Sequence, residues 1–363
     1  MISLPTIGAL SFNLEVRQRV NPFYLIGVIT GSVALGLTIS VVILMASCIG
    51  LSSIYEEFVI FTFMNSTGLS DVVNESTPLI LVGLCAAVAF RVNFWNIGIE
   101  GQFFFGVIGA TFVAIFNIGP DYLRLLLMFV FACLGGALWA LLPAILKVKL
   151  RVNEVITTLL LNYIAYYFVL DLIYGPWKDP VTGFPYSEKF EISFERLEKI
   201  GWEQVHSGIL IAVVAVVLLW WLVERCRYGI ASRFVGTNPQ MALAIGLPVA
   251  TVTIGSALLS GAMAGLGGFV VAAANEFRLT PAMAAGYGFS GIVIAFLAGK
   301  RPFPTLIVAF LIGGMYVAGE SLKVIYGLPA ALVGLIQAII VLTVISSEFF
   351  IRYRLRLVRK KMP

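Results

Sequence analysis

Between two strongly apolar runs, the sequence reads Phe94-Trp95-Asn96-Ile97-Gly98-Ile99-Glu100-Gly101-Gln102. The stretch places two amide side chains, one carboxylate and two glycines where the flanking residues are almost all apolar. Glycine loosens backbone packing, and amide or carboxylate groups can replace lost helix hydrogen bonds or contact a polar solute. The sequence therefore predicts a polar break inside a membrane-embedded bundle of helices.

The composition favours a membrane protein over a soluble enzyme. Of the 363 residues, 60% are hydrophobic and 12% are charged, and the mean hydropathy is +0.99. Soluble domains carry roughly 25% charged residues, so a soluble globule of this size would lack polar surface. The net charge of +5 does not indicate nucleic-acid binding, because the basic residues lie at the ends of apolar runs.

Ten apolar segments predict an all-α polytopic membrane protein with about ten transmembrane helices in a single domain, 1–363. Most of the segments can reach the ~20 residues that cross a bilayer core of ~30 Å. The segments are 23–48, 77–92, 103–118, 122–147, 155–174, 207–224, 249–273, 286–299, 304–320 and 328–349.

Lysine and arginine predict the orientation, with both termini in the cytoplasm. Arg17 and Arg19 precede the first segment, and a run of basic residues from Arg352 to Lys361 follows the last. Basic residues are enriched on the cytoplasmic side of membrane proteins. A tail of this kind is typical of an anchor close to anionic lipid. No cleavable signal peptide is evident, because the first apolar run is too long for one.

Two loops between the segments are long enough to meet other molecules. Residues 175–206 form an acidic external loop, which either contacts an external partner or packs on the rim of the bundle. Residues 225–247 form a cytoplasmic loop, in which Thr237 or Asn238 can cap a short helix that begins at Pro239 and ends before Gly246. The helix would be either a docking element or an interfacial helix lying on lipid.

A second polar break predicts a weak inverted repeat. It reads Gly286-Tyr-Gly-Phe-Ser-Gly291 and begins a short apolar segment, 286–299. The first break also lies next to a short apolar segment, 77–92, which it follows. The two halves of the chain begin on opposite sides of the membrane. Paired short segments with glycine breaks are a pointer to the solute site of transporters.

Several motifs together resemble one family of membrane proteins. Asn96 to Gln102, Asn153-Glu-Val-Ile-Thr-Thr-Leu-Leu-Leu-Asn-Tyr-Ile164, Gly175-Pro-Trp-Lys-Asp-Pro180, Arg233 to Gly246, and the stretches at 260–265 and 286–292 follow the order found in that family. The resemblance is to permease subunits of ABC importers of the ribose, branched-chain amino acid and nucleoside group. It is nearest the larger permease of nucleoside importers, although Trp95 and Met241 depart from the usual pattern.

The resemblance implies a type II importer fold and a set of partners. These are a second homologous permease, a cytoplasmic ABC ATPase and an external substrate-binding lipoprotein. It also implies that the ATPase docks on the 225–247 loop, for which the candidate residues are Arg233, Gly236, Asn238, Pro239, Met241, Leu243, Ile245 and Gly246. The chain contains no GxxxxGK[ST] motif, so we expect ATP hydrolysis on a separate subunit and no catalytic residue, cofactor or metal here.

The proposed solute is a nucleoside, moved by alternating access along the two breaks. Amides and aromatic faces suit a neutral ribose and base. The candidate pathway residues are Asn96, Glu100, Gln102, Asn162, Tyr163, Tyr287 and Phe289. Glu100 has an alternative structural interpretation, either as the partner of Arg91 or at a helix N-terminus.

Other solutes and other classes of protein stay open at this point. Riboflavin, a simple sugar or another small polar solute would suit the same importer architecture. A secondary transporter is less favoured, because the carboxylates cluster at the ends of segments rather than at mid-membrane. An intramembrane enzyme would need a nucleophile with a base, or a set of metal ligands, and the chain has one histidine, His206.

Overall fold

Helices dominate the computed structural model, which describes residues 2–3, 10–17, 21–47, 49–191, 194–284 and 286–359. The α-helices are, in chain order, α1 Pro22–Ala46, α2 Leu51–Tyr55, α3 Ser66–Arg91, α4 Ile99–Ile115, α5 Asp121–Leu150, α6 Glu154–Tyr174, α7 Gly208–Glu224, α8 Arg227–Thr237, α9 Pro239–Ala244, α10 Val249–Val270, α11 Tyr287–Leu297, α12 Pro302–Tyr326 and α13 Ala330–Arg352. Two π-helical stretches, Glu56–Met64 and Val271–Glu276, continue α2 and α10.

Seven helices within the described residues are long and apolar enough to cross a membrane. The helical pair α7 and α8, bent by 72°, would make an eighth crossing if it acts as one span. The two shorter apolar helices, α4 and α11, are the ones that follow the polar breaks. Each of the ten predicted segments coincides with one of α1, α3–α7 and α10–α13, so the all-α polytopic fold is confirmed.

Capping residues explain where some of the helices begin. The side chain of Asn65 accepts a hydrogen bond from the backbone N–H of Thr67, at 3.1 Å. This cap starts α3 at Ser66, whereas the sequence predicts the segment from residue 77, so the helix is longer than expected. Asn153 caps α6 in the same way, through the N–H of Val155 at 2.9 Å. Each cap satisfies one of the N–H groups that have no partner within the helix.

The chain forms two compact units, and the first comprises Met1–Ile60 and Ala318–Pro363. Its helices α1 and α13 approach closely at Gly36, where a Cβ atom would overlap the hydroxyl of Thr343. A small antiparallel sheet joins β1 Ile2–Ser3, β2 Leu10–Val16 and β3 Tyr353–Arg359. The sequence analysis predicts no sheet, because it interprets the basic tail as a lipid anchor. Arg19, Lys360 and Lys361 of that interpretation lie outside the described residues.

The second unit, Phe61–Val317, holds both polar breaks. Its interior is built on α3 and α10, which are largely buried. Glycines bring α10 into backbone contact with its neighbours. A Cβ atom at Gly261 would overlap the carbonyl oxygen of Gly136 on α5, and one at Gly265 would overlap that of Ala132. Glycine at both positions lets the backbones of α5 and α10 come into contact.

The predicted external loop, residues 175–206, packs against residues 277–279, which follow the π-helical extension of α10, rather than projecting from the unit. Backbone N–H groups of Ser187 and Phe190 donate to the carbonyls of Leu279 and Phe277, at 3.1 and 2.8 Å. Glu195 is buried and forms an ion pair with Arg124 of α5 at 3.2 Å. The packing favours the rim interpretation of the loop, and one of its carboxylates is structural.

Candidate functional site

A buried hydrogen-bond network organises the first polar break. Asn96 and Gln102 are both fully buried and exchange two amide hydrogen bonds, at 2.8 and 2.9 Å. The Asn96 Nδ2 group also donates to the hydroxyl of Ser260 on α10, at 3.0 Å, and its Oδ1 accepts from the N–H of Gly98, at 3.1 Å. The two predicted pathway amides therefore brace the backbone between α3 and α4 in this conformation.

Helix α6 holds the same break from its other side. The Oδ1 atom of Asn162 accepts from the N–H of Gly101 at 2.8 Å, and its Nδ2 group donates to the carbonyl of Ile97 at 2.9 Å. The neighbouring Tyr163 is 61% exposed. Consecutive residues of a helix point about 100° apart, so Asn162 and Tyr163 face different surroundings, and only Asn162 joins the network at the break.

The second polar break contacts the first at Glu100. Gly286 adopts a φ of 88°, which glycine tolerates well, and its backbone N–H faces the Glu100 carboxylate. Gly288 packs so closely on Glu100 that a Cβ atom would overlap its side chain. The structure therefore brings together the two glycine-rich stretches that the sequence singles out, while their relation as an inverted repeat stays a prediction.

Glu100 does not pair with Arg91, so that part of the sequence analysis is wrong. The Arg91 side chain instead donates to the hydroxyl of Ser232 at 3.1 Å and to the carbonyl of Gly229 at 3.5 Å, both on α8. Among the described residues, no basic group lies within 4.0 Å of the Glu100 carboxylate. Its contact with the start of α11 matches the alternative, a carboxylate near a helix N-terminus.

Two tyrosines and two glutamates line the junction of the breaks, and we call this set the tyrosine cleft: Glu75, Glu100, Tyr287 and Tyr316. The hydroxyl of Tyr287 donates to the Glu75 carboxylate at 2.7 Å. The rings of Tyr287 and Tyr316 lie nearly parallel, with centroids 6.3 Å apart, and Tyr316 shares a 2.8 Å hydrogen bond with Ser290. All four cleft residues are half-buried. The cleft places aromatic rings beside hydrogen-bond acceptors, and the ring of Tyr287 also stacks on that of Phe103, with centroids 5.7 Å apart.

Two residues of the cleft escaped the sequence analysis. Glu75 falls before the predicted start of its segment, although the capping residue Asn65 could have extended that helix to include it. Tyr316 lies in an ordinary apolar run and carries no local signal. Phe289, in contrast, is one of the predicted pathway residues. It lies next to Ser290 in α11 and is 51% exposed.

The predicted docking loop contains two helices, α8 and α9, of which the sequence analysis foresees only the second. Of the two predicted capping residues, Asn238 is the one that caps α9, because its Oδ1 accepts hydrogen bonds from the N–H groups of Gln240 and Met241, both at 3.1 Å. Pro239 is the first residue of α9, and Gly246 follows the helix with a φ of 80°. Within α9, Ala242 is buried, which fixes the helix against the bundle.

Three large apolar side chains in and just after α9 stay exposed. Met241, Leu243 and Ile245 are each about half or more exposed. At the C-terminal end of α8, Gly236 touches the backbone of Arg91, where a Cβ atom would overlap the carbonyl oxygen, and Arg233 is exposed. The loop therefore combines a rigid attachment to α3 with an apolar surface.

Comparison with known proteins places the chain among transport proteins. Residues 68–345 match the family described as branched-chain amino acid transport system, permease component. The glucose ABC transporter permease TsgB13 of Haloferax volcanii is 35% identical over 351 residues, 94% of this chain and 92% of the relative. The guanosine ABC transporter permease NupP of Bacillus subtilis is 31% identical, over 91% of this chain and 95% of the relative.

A third relative shows the same pattern at lower identity. The nucleoside ABC transporter permease NupB of Lactococcus lactis is 28% identical over 313 residues, 83% of this chain and 85% of the relative. The family match covers the membrane helices from α3 to α13 and includes both polar breaks. The chain therefore belongs to the family of branched-chain amino acid transport system permease components.

Proposed function

We propose that this chain is the membrane permease of an ATP-driven importer and that it carries nucleosides across the cytoplasmic membrane by alternating access. The tyrosine cleft at the junction of the two breaks is the observation that carries the proposal. The names of two relatives, a guanosine permease and a nucleoside permease, support the choice of solute.

The chemistry of the cleft suits a nucleoside. A nucleoside is neutral, with a flat base and two ribose hydroxyl groups. The ring faces of Tyr287 and Tyr316 can stack on the base, and carboxylates such as Glu75 and Glu100 accept hydrogen bonds from hydroxyl or base N–H groups. Binding of this kind needs no charge on the solute.

A sugar is the second candidate, because the relative at 35% identity is named a glucose permease. Aromatic faces and carboxylates also bind sugars. The two solutes differ in the base, which only a nucleoside can place against the tyrosine rings. Riboflavin, which also carries a flat ring system, is a third solute to test.

The amides of the first break play a structural part in this proposal. Asn96 and Gln102 use their polar groups on each other and on neighbouring residues. Direct contact with the solute at these positions would require a conformation in which the network opens. Their predicted place in the pathway therefore stays a prediction.

The partners in the proposal are a second homologous permease, an external substrate-binding lipoprotein and a cytoplasmic ABC ATPase, on which ATP hydrolysis takes place. The basic ends of the helices support an orientation with both termini in the cytoplasm. The exposed apolar residues Met241, Leu243 and Ile245 of the docking loop support α9 as the contact with the ATPase.

Stimulation of ATP hydrolysis tests the solute. The permease would be purified with its co-expressed partners, reconstituted, and assayed with a panel of nucleosides, sugars, riboflavin and amino acids, each in the presence of the binding protein. The proposal predicts stimulation by nucleosides alone. Stimulation by glucose alone would replace the solute and keep the importer, and a preparation without any ATPase would contradict the importer itself.

A cap substitution tests the docking role of α9. Asn238→Ala removes the cap, which typically costs a helix about 1 kcal/mol, and Gln240→Ala changes an exposed residue on the same helix without touching the cap. We expect Asn238→Ala to weaken solute-stimulated ATP hydrolysis and Gln240→Ala to leave it unchanged. Equal activity of the two variants would argue against α9 as the coupling element.

A further inference from the structure

A basic cavity lies at the end of the second unit that carries the docking loop. It has a volume of about 710 Å³ and opens between the ends of α3, α7 and α8 and the start of α12. Among the described residues, four cationic side chains line it and one carboxylate, that of Glu224, so the lining carries a net positive charge. The cations are Arg91, Arg233, Lys300 and Arg301. The basic cavity is distinct from the tyrosine cleft, with which it shares no residue.

Two of the four cations are fixed in place by the protein. Arg91 is held by its hydrogen bonds to Ser232 and Gly229, and the Nζ of Lys300 donates to the carbonyl of Phe90 at 3.2 Å. Among the described residues, no carboxylate lies within 4.0 Å of the guanidinium groups of Arg91, Arg233 or Arg301. The three arginines are not neutralised by close ion pairs and repel one another, so the cavity favours an anion.

An aromatic pair and two apolar stripes adjoin the cationic side chains. Trp220 of α7 and Phe303 of α12 line the cavity, with ring centroids 5.5 Å apart. Beyond Phe303, the exposed residues Ile307 and Leu311 continue along one face of α12, at a spacing of four residues. On α7, the exposed residues Val213 and Val217 lie on the same face as Trp220, seven and three residues before it, and extend the apolar surface on the other helix. A ligand with a charged head group and apolar chains fits this arrangement, in which a cationic cavity is followed by apolar surfaces on α7 and α12.

We propose that the basic cavity binds the phosphate group of an anionic phospholipid from the cytoplasmic leaflet, with its acyl chains along α7 and α12. Arginine guanidinium groups bind phosphate through paired charge-assisted hydrogen bonds, and basic pockets between transmembrane helices on the cytoplasmic side accept anionic head groups. A soluble phosphate compound shares the head-group chemistry, but it would leave the apolar stripes unused. The inference depends on the proposed membrane orientation and not on the solute.

Lipid titration of the full-length chain tests the inference. The purified protein, stripped of lipid in a neutral detergent, would be titrated with phosphatidylglycerol, phosphatidylcholine and inorganic phosphate, and bound lipid counted by native mass spectrometry. The variant Arg301→Gln removes one cation whose side chain is exposed, and Arg233→Gln removes a second. Lys149→Gln is the matched control, since it removes an exposed positive charge outside the cavity.

We expect phosphatidylglycerol to bind at least about tenfold more tightly than phosphatidylcholine, and each cavity variant to weaken phosphatidylglycerol binding about five- to tenfold. Lys149→Gln should bind like the wild type. Equal affinity for the two lipids, or equal losses in Arg301→Gln and Lys149→Gln, would overturn the inference. Binding of inorganic phosphate without phosphatidylglycerol binding would overturn the lipid assignment. Loss of co-purifying ATPase in Arg301→Gln, with lipid binding intact, would assign the cavity to a protein partner instead.

Discussion

At the scale of single residues, the amide pair Asn96 and Gln102 shows how polar groups survive inside this bundle. A buried amide that loses its partner costs about 1–3 kcal/mol. We therefore expect Asn96→Ala and Gln102→Ala each to lower the melting temperature in detergent. The double variant should be less damaging than the sum of the two, by about 1 kcal/mol, because neither amide is then left without its partner. If the losses of stability in the two single variants simply add up in the double variant, the two amides do not stabilise the fold as a pair.

The one histidine of the chain predicts a dependence of stability on pH. His206 lies in the external loop, where its Nδ1 accepts a hydrogen bond from the N–H of Gly208 at 3.2 Å and no described residue forms a hydrogen bond with its buried Nε2. Burial lowers the pKa of His206 to about 4, from an ordinary value near 6.5. As the pH falls below 6.5, the unfolded chain binds the proton first, so the folded state loses stability until the pH reaches about 4.

We expect this single group to lower the free energy of unfolding by about 1–2 kcal/mol between pH 7 and pH 5. Melting curves of the wild type and of His206→Gln across that range measure the effect, since carboxylate titrations contribute to both proteins alike. The difference between the two curves should shrink with falling pH. A difference between the wild type and His206→Gln that does not change with pH would contradict the conclusion that His206 is buried and neutral in the folded state.

At the scale of elements, close helix crossings explain the glycines of α10. Gly265 touches the backbone of α5, whereas no neighbouring atom of the described residues lies within 4 Å of a Cβ atom placed at Gly255 of the same helix. Gly265→Ala should destabilise the fold by about 1–3 kcal/mol through overpacking, and Gly255→Ala should be neutral or slightly stabilising. Thermal unfolding of the two variants in the same detergent decides the matter. Equal melting temperatures would mean that α5 and α10 can move apart enough to accommodate the added methyl group without loss of stability.

At the scale of the whole molecule, hydrophobic pattern alone located the ten main helices, because a membrane helix must be apolar over most of its length. Local capping residues also identified α9. The pattern could not show that the breaks meet at Glu100, or that Glu75 and Tyr316 complete the cleft, because these contacts join residues far apart in the chain. It likewise missed α8, which is only moderately apolar, and the sheet that pairs the two ends of the chain.

The central claim is that the tyrosine cleft is the solute path of an ATP-driven permease. Uptake of a labelled nucleoside into liposomes tests it most directly, with the binding protein outside, the complete complex in the bilayer and ATP enclosed. Tyr316→Leu removes the ring face that the proposal places against the base, and Tyr326→Leu is the matched control on the same helix. The account predicts accumulation that requires ATP, about five- to tenfold slower in Tyr316→Leu and unchanged in Tyr326→Leu. Uptake that proceeds without ATP, or that is equal in the two variants, would contradict it.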